Sequence, residues 1–206
     1  MSRGEPQPRS RLAALADTCR EPWARVCIVV AAVLCMAALA GLRVNVTRSY
    51  PLGLYRVVGG ASSVRRGSVV VVCLPVEWAH FARRRGILGP GHCEGGTYGL
   101  GKMVLAVGGD VVELRREGIT VNGVDVPRSR SLDRDSRGRP LPQYPAGRYV
   151  LRPGEVWLFS GYTPQAFDSR YFGPILTYRV RGTVLPVWTL HKATPPASYG
   201  VRSHAT

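Results

Sequence analysis

The segment GKMVLAV, from Gly101 to Val107, is a short and nearly continuous apolar run with one lysine close to its start. Its length and its aliphatic side chains predict a buried strand. A charged ammonium is costly in such a strand. We therefore expect burial to lower the pKa of Lys102 and to make its neutral amine accessible as a base.

Lysine is otherwise almost absent from this chain. Lys102 and Lys192 are the only lysines among 28 basic residues, and the others are all arginines. A guanidinium stays protonated in a protein, so arginine cannot replace a lysine that acts as a base. A GC-rich genome that converts surface lysines to arginines would give the same count by chance, and the count alone favours neither explanation.

Short β-rich runs surround this segment and are separated by Gly, Pro and Asn turn signals. One of these signals, Asn122-Gly123, predicts a hairpin turn. Beyond the N-terminal apolar run, only residues 76–85 have a helical period. The predicted strands cover residues 68–74, 102–107, 110–114, 119–121, 149–151, 156–159 and 176–186. We therefore predict a mainly β, antiparallel domain over residues 43–190.

An uncharged run near the N-terminus indicates a membrane protein. It reads VCIVVAAVLCMAALAGL from Val26 to Leu42 and has Arg25 and Arg43 at its two ends. Seventeen such residues are at the short end of a membrane-spanning helix. We interpret the run as an uncleaved signal anchor. A cleavable signal peptide remains the alternative, because residues 38–40 (ALA) resemble a processing site.

The flanking charges predict the orientation of this anchor. Five arginines precede it and three lie in the fifteen residues after it, which favours a cytoplasmic N-terminus. We predict a single-pass protein of the inner (cytoplasmic) membrane. Its parts are a cytoplasmic segment at 1–25, the transmembrane anchor at 26–42, an extracytoplasmic, periplasmic domain at 43–190 and a disordered tail at 191–206.

Composition excludes some classes of protein. The net charge is +15, which would suit nucleic acid or an anionic membrane, but 45% of the residues are hydrophobic, so this is not a disordered polybasic chain. The arginines are scattered, and no zinc-finger or helix-turn-helix pattern accompanies them. We interpret most of them as a solvated basic surface and predict no nucleic-acid partner.

The cysteines agree with an oxidising compartment. Only Cys73 and Cys93 belong to the predicted periplasmic domain, and an isolated pair there suggests a disulfide. Two buried thiols are the alternative. A zinc site with His80 and His92 would have a spacing that fits no usual finger. We predict no metal site and no cofactor.

Three motifs follow the anchor in order. The first, NVTRSYPLGLY from Asn45 to Tyr55, taken alone could be a polar linker that leaves the membrane. It resembles the nucleophile box of type I signal peptidases. It is closer to the pattern N-x-T-x-S-x-P-x-G-x-Y of the TraF-like peptidases of conjugative transfer systems, because the signal peptidases usually have one more residue between Ser and Pro.

The other two motifs extend the resemblance. The segment KMVLAVGGD, from Lys102 to Asp110, is similar to the family's lysine box, although Ala106 and Gly108 replace a common Gly and a common Pro. The segment DSRYFGP, from Asp168 to Pro174, resembles the third box almost letter for letter. The chain is thus identified as a member of the TraF-like conjugative-transfer peptidases, within the type I signal peptidase family.

The resemblance implies a fold and a set of site residues. The domain would be an antiparallel β domain of the signal-peptidase type, with Ser49 as nucleophile and Lys102 as general base. The Ser49 amide and the Thr47 hydroxyl would be the oxyanion donors. Asp168 and Arg170 would form an ion pair that orders the site, and Asp168 is either a third catalytic residue or only one half of a salt bridge.

The implied function is a membrane-anchored serine endopeptidase that matures an exported precursor, which we expect to be a conjugative pilin, by cleavage with or without cyclisation. Its partners would be the precursor protein, membrane lipid and a conjugative secretion apparatus. One alternative is a general type I signal peptidase for secreted proteins. The other is a non-enzymatic membrane scaffold, which would apply if Ser49 and Lys102 do not meet in the fold.

Overall fold

The structure is a computed structural model that describes residues 21–45, 52–60 and 64–190. Its helical unit ends at Leu42 and its β unit begins at Arg43. The predicted cytoplasmic segment, except for residues 21–25, and the predicted tail lie outside the described residues. So do Thr47 and Ser49 of the first motif.

The N-terminal helix, α1, covers Pro22–Leu39 and has a mean hydropathy of 2.1. Within the described ranges, it is the one helix long and apolar enough to cross a membrane. Pro22 is in the first turn, where its missing amide hydrogen is not needed. The helix ends three residues before the predicted boundary because Gly41, with φ of 76°, turns the chain out of it.

The β unit is built from short strands with two short helices. The elements are β1 (Leu42–Asn45), β2 (Gly53–Val58), β3 (Val69–Val72), α2 (Val76–Arg84), β4 (Pro90–Cys93), β5 (Leu100–Val107), β6 (Val111–Leu114), β7 (Ile119–Val121), β8 (Val124–Val126), β9 (Gly147–Val150), β10 (Glu155–Phe159), α3 (Ser169–Phe172), β11 (Ile175–Leu176) and β12 (Val180–Thr189).

All of these strands except β4 belong to two sheets. The larger has the order β1-β2-β12-β3-β5-β10-β11, and the smaller has the order β8-β7-β6-β9. From β2 to β11 in the larger sheet, and throughout the smaller one, neighbours are antiparallel. The predicted mainly β, antiparallel fold is therefore confirmed.

Strands β5 and β10 are buried on both faces, which explains why their sequences are almost continuously apolar. On one face, Leu100 and Val104 of β5 pack into a cluster with α2 and α3. On the other face, Met103, Leu105 and Ala106 pack against residues of the smaller sheet. A register shift in the β5–β10 pairing lets the consecutive residues Leu105 and Ala106 enter the same cluster.

Two details differ from the sequence-based expectation. The strand predicted over 176–186 is broken by a 3-10 turn at Thr177–Arg179. The turn is needed because β11 pairs with β10 at one edge of the sheet, whereas β12 lies between β2 and β3. Strand β2, which begins within the first motif and continues beyond it, was not predicted.

A disulfide joins Cys73 and Cys93, as predicted, with 5.4 Å between the two Cα atoms. Cys73 directly follows β3, and Cys93 ends β4. The bond therefore closes the excursion that contains α2, whose buried Ala79 and Ala82 pack onto the larger sheet's core.

Candidate active site

Lys102 is the third residue of β5, and only 3% of its surface is exposed. Val70 of β3 lies directly opposite it in the sheet. Burial lowers the pKa of Lys102 from 10.5 to about 8, the carboxylate of Asp168 acts in the opposite direction, and the Arg170 cation lowers the pKa further. About a tenth of this amine is therefore neutral at pH 7, far more than for an ordinary lysine, and a general base needs this neutral form.

Asp168 and Arg170 form an ion pair with no exposed surface on either side chain. The Arg170 Nε donates to Asp168 Oδ1 at 2.8 Å, and its Nη2 donates to Oδ2 at 2.9 Å. Asp168 also accepts backbone N–H groups from Ser160 and Arg170, each at 3.2 Å. The carboxylate is thus fixed by four hydrogen bonds within electrostatic range of Lys102.

Several residues of the third motif have a structural role in its fold. Asp168 caps the N-terminus of α3. The Ser169 Oγ accepts the amide of Leu158 at 2.9 Å, at the register shift in β10 where this amide would otherwise be unpaired. Gly173 has φ of 77° and lies against the Tyr144 ring, so any Cβ there would collide with it. The motif is therefore a structural unit that holds the ion pair.

The second motif ends in a similar structural device. The Asp110 carboxylate accepts the amide of Val107 at 2.8 Å and the Asn122 side-chain amide at 3.1 Å, and it pairs with Arg66. These contacts join the end of β5 to the β7–β8 turn and to the chain before β3. Asp110 therefore stabilises the strand that carries Lys102, and its place in the fold is structural.

The chain between β8 and β9 spans residues 127–146. Residues 128–143 are charged and short of apolar side chains, and this composition predicts an exposed loop or flap. The segment is a loop, and its main chain is hydrogen-bonded to residues of the third motif. The Arg130 carbonyl accepts Arg170 Nη1 at 2.7 Å, the Tyr144 amide donates to the Arg170 carbonyl at 3.1 Å, and the Leu132 amide donates to the Tyr171 hydroxyl at 3.1 Å. Sequence missed this role because main-chain groups make these contacts.

The structure thus brings together three of the residues predicted from sequence, Lys102, Asp168 and Arg170. Ser49 and Thr47 fall outside the described residues, so their meeting with Lys102 stays a prediction. Sequence reasoning did not single out Ser160, a buried residue whose amide contacts Asp168. Ser160 directly follows Phe159, which pairs with Met103, the residue after Lys102, and this register is not visible in the sequence.

A known family shares this pattern over most of the chain. The family model described as signal peptidase, peptidase S26, matches residues 21–189. The chain belongs to this family. Membership implies a serine peptidase that acts on a precursor protein, and it agrees with the three motifs read in the sequence.

Individual relatives support the assignment of this signal peptidase family member. The plasmid transfer protein TraF of Escherichia coli is 40% identical over 171 residues, which are 81% of this chain and 94% of the relative. The conjugal transfer protein TraF of Agrobacterium fabrum is 39% identical over 164 residues, which are 79% and 90% of the two chains. The TraF-like resemblance is therefore confirmed.

A crystal structure of a signal peptidase I from Enterococcus faecalis is also similar to this peptidase. Its TM-score is 0.35 and its sequence identity is 18%, over 60% of this chain and 97% of the other.

Proposed function

We propose that this peptidase is a membrane-anchored serine endopeptidase that matures the precursor of a conjugative pilin. The observation that carries the proposal is the buried Lys102, with its pKa lowered to about 8, beside the fully buried ion pair of Asp168 and Arg170. A buried lysine with a lowered pKa is a general base that needs a nucleophile. Ser49, in the first motif, is the proposed nucleophile.

The proposed reaction has two steps. The Ser49 Oγ attacks the scissile carbonyl carbon, while the neutral Lys102 amine takes the hydroxyl proton and then gives it to the leaving amine. The Ser49 amide and the Thr47 hydroxyl stabilise the oxyanion. In the second step, water or the N-terminal amine of the substrate attacks the acyl-enzyme and loses its proton to Lys102. The ester bond to Ser49 breaks as Lys102 returns this proton to the Ser49 Oγ, and the products are a cleaved or a cyclic protein.

Asp168 and Arg170 have a supporting role in this proposal. Burial is the largest cause of the lowered Lys102 pKa, and the charges of Asp168 and Arg170 act on this pKa in opposite directions, so each offsets part of the other's effect. Both oxygens of Asp168 accept hydrogen bonds from Arg170. We therefore assign Asp168 to positioning and electrostatics rather than to proton transfer.

Two features favour a conjugation substrate over general secreted proteins. The relatives that are about 40% identical are named for plasmid or conjugal transfer. The first motif also has a single residue, Tyr50, between Ser49 and Pro51, which is the shorter spacing. In this proposal the enzyme works with a conjugative secretion apparatus.

The proposed location is the inner membrane, with the β unit in the periplasm. Helix α1 can span a membrane, and the disulfide fits an oxidising compartment. Near the ends of β2 and β12 there is also a group of exposed apolar side chains, the β2–β12 patch. The patch consists of Leu52, Leu185, Val187, Trp188 and Leu190. We propose that it contacts membrane lipid, because exposed apolar patches of this kind mark interaction sites.

The test is the processing of a precursor pilin that is produced together with the full-length peptidase in cells. Ser49→Ala and Lys102→Arg should each abolish processing, whereas Lys192→Arg, the matched change at the other lysine, should not. Mass spectrometry of the product distinguishes linear from cyclic pilin. Normal processing by Lys102→Arg would exclude Lys102 as the base, and no processing by the wild type would favour the scaffold.

A second assay separates the two peptidase functions. A strain depleted of its own signal peptidase should not be rescued by this chain if the substrate is a dedicated pilin. Rescue of growth would instead support the general signal peptidase.

A further inference from the structure

The segment 127–146 is latched to the end of helix α2 by reciprocal contacts. The Asp135 carboxylate accepts Arg139 Nε at 2.7 Å and Arg85 Nη1 at 3.3 Å. Arg85 in turn donates from Nη2 to the Pro140 carbonyl at 2.9 Å, and its own carbonyl accepts Arg139 Nη2 at 2.9 Å. The segment and the end of α2 each donate and accept hydrogen bonds, so the latch does not depend on one contact alone.

Asp135 also shapes the segment itself. Its Oδ1 accepts the backbone amides of Arg137 at 2.9 Å and Arg139 at 3.0 Å. Burial would raise the pKa of Asp135, but these amides and the Arg139 guanidinium lower it to about 2. The carboxylate is therefore ionised at any pH at which the protein works, and the latch does not open by protonation.

Two other residues of the segment, Arg130 and Tyr144, contact Arg170 in the site. The Arg170 guanidinium donates to Ala166 and Asp168, which are close to it in sequence. It also donates to the Arg130 carbonyl, which lies 40 positions away. The Tyr144 amide fixes the main chain of Arg170 from the other end of the segment. One side of the buried ion pair is thus closed by a segment whose own position depends on Asp135.

We propose that Asp135 is a positioning residue of the active site, which acts through the segment 127–146 and Arg170 on the environment of Lys102. This inference rests on the proposed function of Lys102 as the base. When the latch is lost, the segment loosens, the Arg130 carbonyl leaves Arg170, and water reaches the ion pair. The Lys102 amine then becomes better solvated and harder to deprotonate.

The test uses the two lysines of the chain. Full-length protein with isotope-labelled lysine gives signals only from Lys102 and Lys192, so the titration of Lys102 is measured by NMR, with Lys192 as internal reference. In Asp135→Ala we expect the Lys102 midpoint to rise by about one pH unit, because burial is the largest cause of its low pKa. Asp135→Asn keeps an acceptor oxygen and should give a smaller shift in the same direction.

The matched control is Asp133→Asn. Asp133 lies in the same segment and pairs with an arginine, but both it and Arg116 are exposed. This variant should leave the Lys102 titration and precursor cleavage unchanged. Amide hydrogen exchange at Leu132 and Tyr144 should become faster in Asp135→Ala and not in Asp133→Asn.

Activity supplies a second readout. At neutral pH a rise of one unit leaves about tenfold less neutral amine, so kcat should fall about tenfold and recover at higher pH. A merely structural weakening would lower the rate equally at every pH. Should Asp135→Ala fail to fold, Arg139→Gln removes one arm of the latch and must still raise the Lys102 midpoint.

The inference is wrong if Lys102 titrates in Asp135→Ala as it does in the wild type, or if Asp133→Asn gives the same shift. The titration needs no substrate, so it decides this point whether or not the pilin is cleaved. Failure of the base assignment appears separately, as continued cleavage by Lys102→Arg.

Discussion

Asp168 and Arg170, two positions apart in the chain, share two parallel hydrogen bonds and are fully buried, and their charges act in opposite directions on the pKa of Lys102. Burial alone would lower the pKa of Arg170, but the Asp168 carboxylate raises it overall, so Arg170 stays charged within the pair. Its two members can therefore be removed one at a time to give opposite effects on the same lysine.

Asp168→Asn should lower the pKa of Lys102, because the carboxylate raises it, and Arg170→Gln should raise that pKa, because the guanidinium lowers it. Both changes break a buried ion pair and should cost about 3–5 kcal/mol of stability. Lysine-selective NMR on the two full-length variants measures the shifts. Shifts in the same direction would show that loosening of the fold, rather than charge, controls Lys102.

Replacing Lys102 should stabilise the protein while it removes activity. Below about pH 8 the buried amine is charged in the folded state and its burial is a penalty, and this penalty disappears as the pH rises to 10.5, where the unfolded chain also loses the proton. The pKa difference corresponds to about 3 kcal/mol. Lys102→Met should therefore be more stable than the wild type at pH 7, by about that amount.

The measurement is the thermal midpoint as a function of pH. The wild type should gain stability between about pH 8 and 10.5, and Lys102→Met should not. Lys192→Met, the matched change, should follow the wild type. A wild-type curve that stays flat in this window would mean that the Lys102 amine is not buried as a cation.

Removing the disulfide should destabilise the β unit. Closing a loop of 20 residues is worth about 3 kcal/mol in the chain-entropy model, so Cys73→Ala with Cys93→Ala should lower the free energy of unfolding by about that amount. The double change of Cys27 and Cys35 to Ala, at two exposed positions of α1, is the control and should have little effect on the β unit. Alkylation of Cys73 and Cys93 in native protein from the periplasm would contradict the disulfide.

Gly173→Ala should be far more harmful than Gly123→Ala. Both glycines have positive φ, 77° and 79°, so both changes strain the backbone, but only at Gly173 would the new methyl meet the Tyr144 ring. The difference between the two variants therefore isolates the collision, which we expect to cost about 1–3 kcal/mol. Thermal denaturation measures it, and Tyr144→Leu combined with Gly173→Ala should recover part of the loss.

The β2–β12 patch predicts a dependence on the membrane. Changing Trp188 and Leu190 to Ser should impair cleavage of a membrane-bound precursor more than cleavage of a soluble peptide with the same scissile bond. Exposed apolar side chains favour the lipid interface, and Trp is suited to it. The matched control changes Val124 and Val150, two exposed apolar residues of the smaller sheet, to Ser. Equal loss with both substrates would show that the patch belongs to the fold and not to membrane contact.

Much of the fold could be predicted because the strands carry strong local signals. The run around Lys102 is apolar on both faces, and residues 119–121 were placed with the correct bounds. The helix at Val76–Arg84 was also foreseen, to within one residue. Local composition and turn residues are enough to predict such elements, because the residues that become buried follow one another in the sequence.

The remaining features depend on partners that are distant in sequence. Strand β2 begins at Gly53, soon after Pro51, and its apolar and polar residues do not alternate clearly. It is stabilised by pairing with β12, more than 120 residues later in the chain. The latch at Asp135 joins residues about 50 positions apart. A charged loop gives no local signal for such contacts, so composition predicts only an exposed loop or flap over residues 128–143.

The main-chain contacts of the segment 127–146 have a consequence for how the protein can diversify. Arg130, Leu132 and Tyr144 reach the third motif through a carbonyl and two amides, which every residue type except proline can supply. The exposed side chains of the segment, such as those of Asp133 and Arg134, are therefore free to change in charge and size without disturbing the ion pair. The outer surface of the domain can adapt to a new partner while the chemistry beneath it is preserved.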